Sequence, residues 1–415
     1  MTRRFPLLLC FALSLAAQNG ERVFEYGFEQ RVRNENWNNL FDWNGELDDQ
    51  RVHVRYRSRL WLKGPLTSTI DFHAGLNQET CQIVTPDTPF RFDEVIFETA
   101  YLDFKKLFVN GLSLRVGRQN FIKGEGFLFL EGTPYDGSRT IYSNAAVLGY
   151  TFRKSKLEAV GILNPRRDRF LPRIHDRSRP LIEWDERAAG IYYTDNSRRR
   201  TSFETYWFLK KQSGDRRPAS HPQYQPDLHL HTAGGRLVRT LNGRWSLTGE
   251  LARQWGARND GRTLSALGGY AYAKRVLGER QQHSLSMGYY GLSRSWNPLF
   301  SRWPKWSEML IYSQFREAGP AYWTNTGMWF GEANISPWKP VNFRLTYYRM
   351  YAGRVLRGDM PQVRFDVKVN KSWSGHVLYE HMAPGDYYPG RSQAYFLRFE
   401  GVYSWQGKSV FNRSF

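Results

Sequence analysis

The sequence predicts an all-β protein: a transmembrane antiparallel β-barrel of about 18 strands, preceded by a cleaved signal peptide. Three observations carry that prediction. Segments in which apolar and polar residues alternate recur from about residue 21 to the end of the 415-residue chain. Short turns and longer loops follow one another in strict alternation, and an export signal precedes them all. The mean hydropathy of −0.61 leaves no later apolar run long enough for a spanning helix. A barrel tolerates such polarity, because only every second residue of its strands meets lipid.

The chain opens MTRRFPLLLCFALSLAAQNG. Arg3 and Arg4, an apolar run from Phe5 to Leu13 and the small residues Ser14, Ala16 and Ala17 read as a secretory signal over 1–17, cut after Ala16 or Ala17. The mature barrel domain is then 18–415, with no linker, charge block or low-complexity tract to divide it. Cys10 falls inside the signal, so Cys81 is the one cysteine left and an intramolecular disulfide is excluded. The formal net charge of +20 loses Arg3 and Arg4 with the signal and stays at +18. On an exported chain this excludes nucleic acid as the partner and points to polyanions and anionic surfaces, with outer-membrane lipid around the barrel.

The strands show their two faces plainly. In 243–255, Trp245, Leu247, Gly249 and Leu251 alternate with Arg244, Ser246, Thr248 and Glu250. In 340–351, Val341, Phe343, Leu345 and Tyr347 alternate with Asn342, Arg344 and Thr346; in 392–405, Tyr395, Leu397, Phe399 and Tyr403 alternate with Arg398, Glu400 and Ser404. Turns are expected at 63–65, 104–111, 153–156, 195–200, 240–243, 277–281, 336–340 and 370–373. Between them lie longer connections at about 34–50, 80–93, 120–139, 165–186, 212–228, 256–261, 293–323, 352–361 and 384–391. Eight turns and nine loops make seventeen connections and eighteen strands, the even number that puts both termini on the periplasmic side.

The stretch RVHVRYRSRLWL places Arg51, His53, Arg55, Arg57 and Arg59 at every second position, with Val52, Val54, Tyr56, Leu60 and Leu62 between them. A charge on the lipid face of a barrel costs about 2–4 kcal/mol at the midplane, so the apolar row faces lipid and the cations face a water-filled bore. The same alternation assigns Arg244, Arg344, Arg364, Lys368 and Arg398 to the bore. Rows of Arg and Lys select anions. The structural reading of the same row is pairing with carboxylates of the first strand, such as Glu25 and Glu29.

Other chemistry is thinly supported. DLHLH sets His229 and His231 on one strand face near Asp227 and His221, a ligand type that suits a metal but a spacing common in wet strands. Asp168, Asp176, Glu183, Asp185 and Glu186 share a loop where Ca²⁺ is conceivable, yet they are interleaved with Arg166, Arg167, Arg169, Arg173, Arg177 and Arg179. There is no GxSxG, no phosphate-binding GxxxxGK[ST] and no pair of cysteines, so no enzyme is expected.

GRQNFIKGEGFLFLEGTPYDGSRT at 117–140, with ETAYLDF at 98–104 and WPKWSE at 303–308, resembles the alginate-export family of bacterial outer-membrane proteins. The resemblance implies an 18-stranded monomeric barrel with an electropositive pore, passing anionic, uronate-rich oligo- or polysaccharides or other organic anions by passive diffusion, with periplasmic export partners for a polymer. Gly124, Gly126, Gly132 and Gly137 suit either a tight fold of 120–139 into the mouth, where Arg118 and Arg139 would narrow it, or a plain surface turn. Phe415 is the terminal aromatic expected of the family, whereas Arg413 stands where an apolar residue is usual, and KSVFNRSF runs past the expected last strand. The rival expectation is a non-conducting barrel, its lumen plugged and its long loops, 293–323 above all, binding a surface partner as an adhesion or structural platform.

Overall fold

The computed structural model describes residues 22–47, 49–90, 92, 94–131, 143–172, 174, 182, 184–215, 217–221, 224, 226–301, 306–313, 315 and 324–411. The expected signal peptide, Arg139, Gly132, Gly137 and the last four residues lie outside them.

Eighteen antiparallel strands form one closed sheet. The first six are β1 (Arg22–Asn38), β2 (Arg51–Pro65), β3 (Ile70–Thr85), β4 (Glu94–Phe104), β5 (Leu112–Gln119) and β6 (Ser143–Phe152). They continue as β7 (Ser155–Asn164), β8 (Asp185–Asp195), β9 (Thr201–Ser213), β10 (Leu228–Thr240), β11 (Trp245–Arg258) and β12 (Thr263–Leu277). The last six are β13 (His283–Leu292), β14 (Thr326–Trp338), β15 (Val341–Ala352), β16 (Val355–Lys368), β17 (Trp373–Pro384) and β18 (Ala394–Phe411). Each strand pairs with its sequence neighbours, and β1 closes the cylinder by pairing with β18 from Arg22↔Phe411 to Asn38↔Tyr395. Closure gives every strand of this sheet two neighbours, the condition for crossing a bilayer with strands. No helix of the described residues is long and apolar enough to cross.

Alternation decides what each face meets. Val32, Leu60, Leu62, Leu148, Ile191, Leu247, Leu251, Leu285, Met287, Leu345 and Phe399 are exposed on the outer face, while their neighbours Arg31, Arg33, Thr248, Thr346 and Arg398 are buried. Trp245, Trp338, Trp373 and Trp405 are exposed near the ends of their strands on the short-turn side, as the aromatic girdle of a membrane barrel requires. The turns are closed by local side chains: the Asn242 carboxamide oxygen accepts from the N–H of Arg244 and Trp245 at 2.9 Å, and Asn370 does the same for Ser372 and Trp373 at 2.8 Å.

Three expectations shift. The connection expected at 352–361 is only Gly353 and Arg354; β16 starts at Val355 and absorbs Gly358 and Pro361, with an irregular register beside Met350 and Tyr351. KSVF belongs to β18, paired with β1, instead of running past the last strand. Arg244 is not on the wall: it is exposed in the turn that precedes Trp245.

Two of the long connections run inward. Phe121–Ile122 pairs with Phe129–Glu131, and Phe300–Ser301 adds to the latter in parallel, making a small sheet from two separate loops. Phe127, Leu128, Phe129, Trp296, Leu299 and Phe300 pack on Val160, Ile162, Tyr192, Tyr206, Phe208 and Ala266. Those wall residues alternate with exposed ones, so 121–131 and 296–301 lie inside the barrel.

Candidate functional site: the loop-lined bore

A cylinder of eighteen strands is too wide for wall side chains to fill, and the described parts of these two loops enter it. Gly124 (φ 55°) and Gly126 (φ 84°) let the KGEGF segment turn sharply as it enters. A Cβ on Gly124 would sit 3.0 Å from Arg236 Cδ and 3.4 Å from a carboxylate oxygen of Glu204 and of Glu250. The inward fold is thus the outcome of the two that the glycines left open.

The loop between β13 and β14 is pinned at two places among its described residues. Gln254 donates to the Asn297 carbonyl at 2.6 Å and accepts from its N–H at 2.9 Å, and Lys210 donates to the Leu299 carbonyl at 2.6 Å while pairing with Glu186 at 2.8 Å. Further on, the Glu380 carboxylate accepts from the N–H of Met309 (2.6 Å) and Glu308 (3.2 Å), from Ser307 Oγ (3.1 Å) and from Gln362 (3.0 Å). Around this anchor a second apolar cluster gathers Trp43, Met309, Leu310, Met350, Met382 and Phe396. The described part of this connection therefore seats itself in the bore.

The arginine row of β2 lies on the buried face. Arg55 pairs with Glu35 at 2.8 Å, Arg57 with Glu29 at 2.9 Å and Arg59 with Glu98 at 2.6 Å. Arg33 pairs with Glu400 at 2.6 Å, and Arg398 reaches both Glu35 (2.6 Å) and Glu308 (3.2 Å). Carboxylates of β1, β4 and β18 thus interleave with the guanidiniums, which is how like charges in one row are held together. His53 stacks on Trp37 at 4.1 Å, with Cys81 Sγ 3.4 Å from its Nδ1. Tyr312 caps this wall: it stacks on Trp37 at 4.2 Å and lies under Arg55 at 5.5 Å. Arg51 is exposed at the loop end of the strand and Lys368 is exposed at the turn end of β16, while Arg364 pairs with Asp366 at 2.7 Å.

Arg118 does not narrow the mouth. It is buried and holds Asp168 at 2.7 Å, the Phe97 carbonyl at 2.8 Å and Asn144 at 3.0 Å, tying the 165–184 connection to the wall. Of the acids considered for Ca²⁺, Asp176 and Glu183 lie outside the described residues, and the others are engaged: Asp168 by Arg118, Asp185 by the N–H of Arg166 and Glu186 by Lys210 and Trp184. Among the described residues no three His, Cys, Asp or Glu converge as a metal site.

Nine strands from the arginine wall stands a wall of acids and phenols. Tyr192 donates to Glu204; Tyr206 and Tyr270 each donate to Glu250 at 2.9 Å; Arg236 pairs with Glu204 at 2.8 Å and with Glu125 at 3.3 Å. Sequence reading placed Glu250 on the wet face but did not connect it to these tyrosines, whose alternation was the only available signal.

Between the inserted loops and β12–β16 a cavity of about 550 Å³ remains, lined among others by Glu125, Phe127, Lys274, Trp306, Glu332 and Arg344. Arg344 Nε has no hydrogen-bond partner, and among the described residues neither Arg344 nor Lys274 has an ion pair. These cations, unlike the row on β2, stay available to a solute.

No family model matches the sequence, and no curated protein matches it either. Solved structures do share its architecture. Pseudomonas aeruginosa OccK3 (OpdO) aligns over 92% of this chain and 96% of its own, with TM-score 0.60 and 12% identity. Acinetobacter baumannii OccAB4 aligns over 94% and 99%, with TM-score 0.58 and 12% identity; P. aeruginosa OprD over 92% and 95%, with 0.56 and 10%. At such identities the likeness is one of fold, and it does not single out alginate export. The chain folds as a closed 18-stranded antiparallel β-barrel, the architecture seen in OccK3, OccAB4 and OprD.

Proposed function

We propose that the barrel is a passive channel for small organic anions, and not an enzyme. The observation that carries this reading is the cavity beside the inserted loops, where Lys274 and Arg344 line the space without ion-pair partners among the described residues. A carboxylate leaving water regains hydrogen bonds from a guanidinium and an ammonium, which lowers its cost of entry. The arginine row of Arg51, His53, Arg55, Arg57 and Arg59 with Arg398 contributes a wall of fixed, mostly paired charge; its pairing with Glu29, Glu35 and Glu98 supports a mainly architectural share for the buried members.

A uronate-rich oligosaccharide presents the same carboxylates and is the longer-chain form of the proposal. The apolar clusters around Phe129 and Met309 favour the short solute, because a polysaccharide needs a continuous wide bore. Swelling of liposomes that contain the barrel separates the readings. Small mono- and dicarboxylates are expected to enter several-fold faster than neutral sugars of similar mass, and oligouronates of several units to be excluded. Equal entry of acid and neutral solutes would overturn anion preference, rapid entry of oligouronates would return the polymer reading, and no swelling by a folded barrel would favour a non-conducting platform.

A further inference from the structure

The outer face of the barrel carries bases that the bore does not use. Arg187, Lys211 and His229 are exposed and stand directly opposite one another on β8, β9 and β10. They share parity with Ile191, Trp207 and Leu237, all exposed on the outside, so they project away from the bore. All three lie near the long-loop ends of their strands, His229 being the second residue of β10. One step towards the membrane, His231 stacks on Trp255 at 5.3 Å and approaches Trp207 at 5.8 Å, the kind of aromatic belt that marks the headgroup level.

The nearby acids do not neutralise this row. An oxygen of Asp185 accepts from the Arg166 N–H at 2.7 Å and one of Asp227 from the Gly214 N–H at 3.0 Å. Among the described residues neither Arg187 nor Lys211 has an ion pair. Like charges directly opposite on neighbouring strands destabilise a sheet, and a bound anion offsets that.

An independent feature lies on the same outer face, running from mid-strand on β10 to the loop ends of β13–β15. A groove of about 930 Å³ has Gly235, Gly249, Gly269 and Gly291 on its floor and Leu251 and Leu267 beside it. Gly235, Leu251, Gly269 and Gly291 follow one another in register across β10–β13. From His229 to Gly235 the chain advances roughly 20 Å along β10, or about 15 Å in depth at the tilt of a membrane barrel. That distance suits an acyl chain hanging from a headgroup in the outer leaflet.

We propose that this face binds a phosphorylated glycolipid of the outer leaflet, with Arg187, Lys211 and His229 holding its phosphate groups and the glycine-floored groove taking an acyl chain. Guanidinium and ammonium donors match phosphate oxygens, and basic clusters at a membrane surface recruit anionic lipid.

The test is native mass spectrometry of the detergent-solubilised barrel, titrated with phosphorylated lipid A, with the same lipid enzymatically dephosphorylated, and with inorganic phosphate as competitor. Wild-type protein is expected to retain the phosphorylated form at least tenfold more tightly, and the Arg187→Gln, Lys211→Gln double variant to lose that preference while keeping wild-type conductance. Gly249→Leu fills the groove, since a Cβ there meets nothing nearer than 3.5 Å, and is expected to weaken both lipid forms alike. Equal retention of the two lipids by wild type, an undiminished preference in the folded double variant, or displacement by equimolar inorganic phosphate would each overturn the proposal. Unchanged binding by Gly249→Leu would remove its acyl-chain half.

Discussion

Glu380→Ala is expected to unseat the loop between β13 and β14. The carboxylate is buried and takes hydrogen bonds from the N–H groups of Glu308 and Met309, from Ser307 and from Gln362. Alanine leaves these donors without the acceptor, and each buried unsatisfied group costs about 1–3 kcal/mol. Counting the two backbone donors and allowing for relaxation, the seated position loses about 3 kcal/mol. That is a shift of roughly 150-fold between seated and released loop at 1.4 kcal/mol per tenfold. The Gln254 and Lys210 contacts to Asn297 and Leu299 remain, so the loop stays tethered at its first half. Single-channel recording in planar bilayers reads the change as a larger and noisier current, and limited proteolysis reads it as new cleavage near residues 306–315. Glu380→Gln keeps one acceptor oxygen and is expected to fall between. A quiet wild-type current together with wild-type protease resistance in Glu380→Ala would refute the idea that this carboxylate holds the loop.

Two further predictions concern stability and the inserted glycines. Arg55→Ala leaves Glu35 to Arg398 and the more distant Arg33, and breaking a buried pair costs about 3 kcal/mol or more, so the urea midpoint for loss of the compact, heat-modifiable form should fall; an unchanged midpoint would show that the pair contributes nothing net. Gly124→Ala forces a side chain into φ 55° against Arg236, costing about 1–2 kcal/mol, and should displace the KGEGF segment and alter conductance, whereas wild-type conductance would mean that the segment does not border the open path.

Much of the architecture was legible because a strand advertises its two faces residue by residue. RVHVRYRSRLWL could take only one orientation in a membrane, and the parity of turns and loops yielded eighteen strands. Boundaries were less legible where turn chemistry sits inside a strand: Gly353, Gly358 and Pro361 look like a loop, yet only Gly353 belongs to the connection and the other two are absorbed by β16. Arg244 was misplaced by a single residue at a turn.

The bore was legible in composition but not in connection. FLFL at 127–130 and PLF at 298–300 are apolar runs inside connections expected to be polar or irregular, a signal that these loops needed something to pack on. What they pack on depends on which strands face one another across the cylinder, and periodicity does not encode that. Ion pairing is similar. Arg398 meets Glu35 because β18 closes on β1, a contact between residues 363 apart in sequence, so a row that reads as naked charge is largely compensated in the fold.

The central claim is that cations of the loop-lined cavity meet the passing solute, and the reversal potential of single channels in a salt gradient addresses it most directly. The wild-type barrel should prefer anions, and Arg344→Glu with Lys274→Glu should abolish or reverse that preference in a barrel that still folds. A cation-preferring wild type, or a double variant with the wild-type reversal potential, would contradict the account.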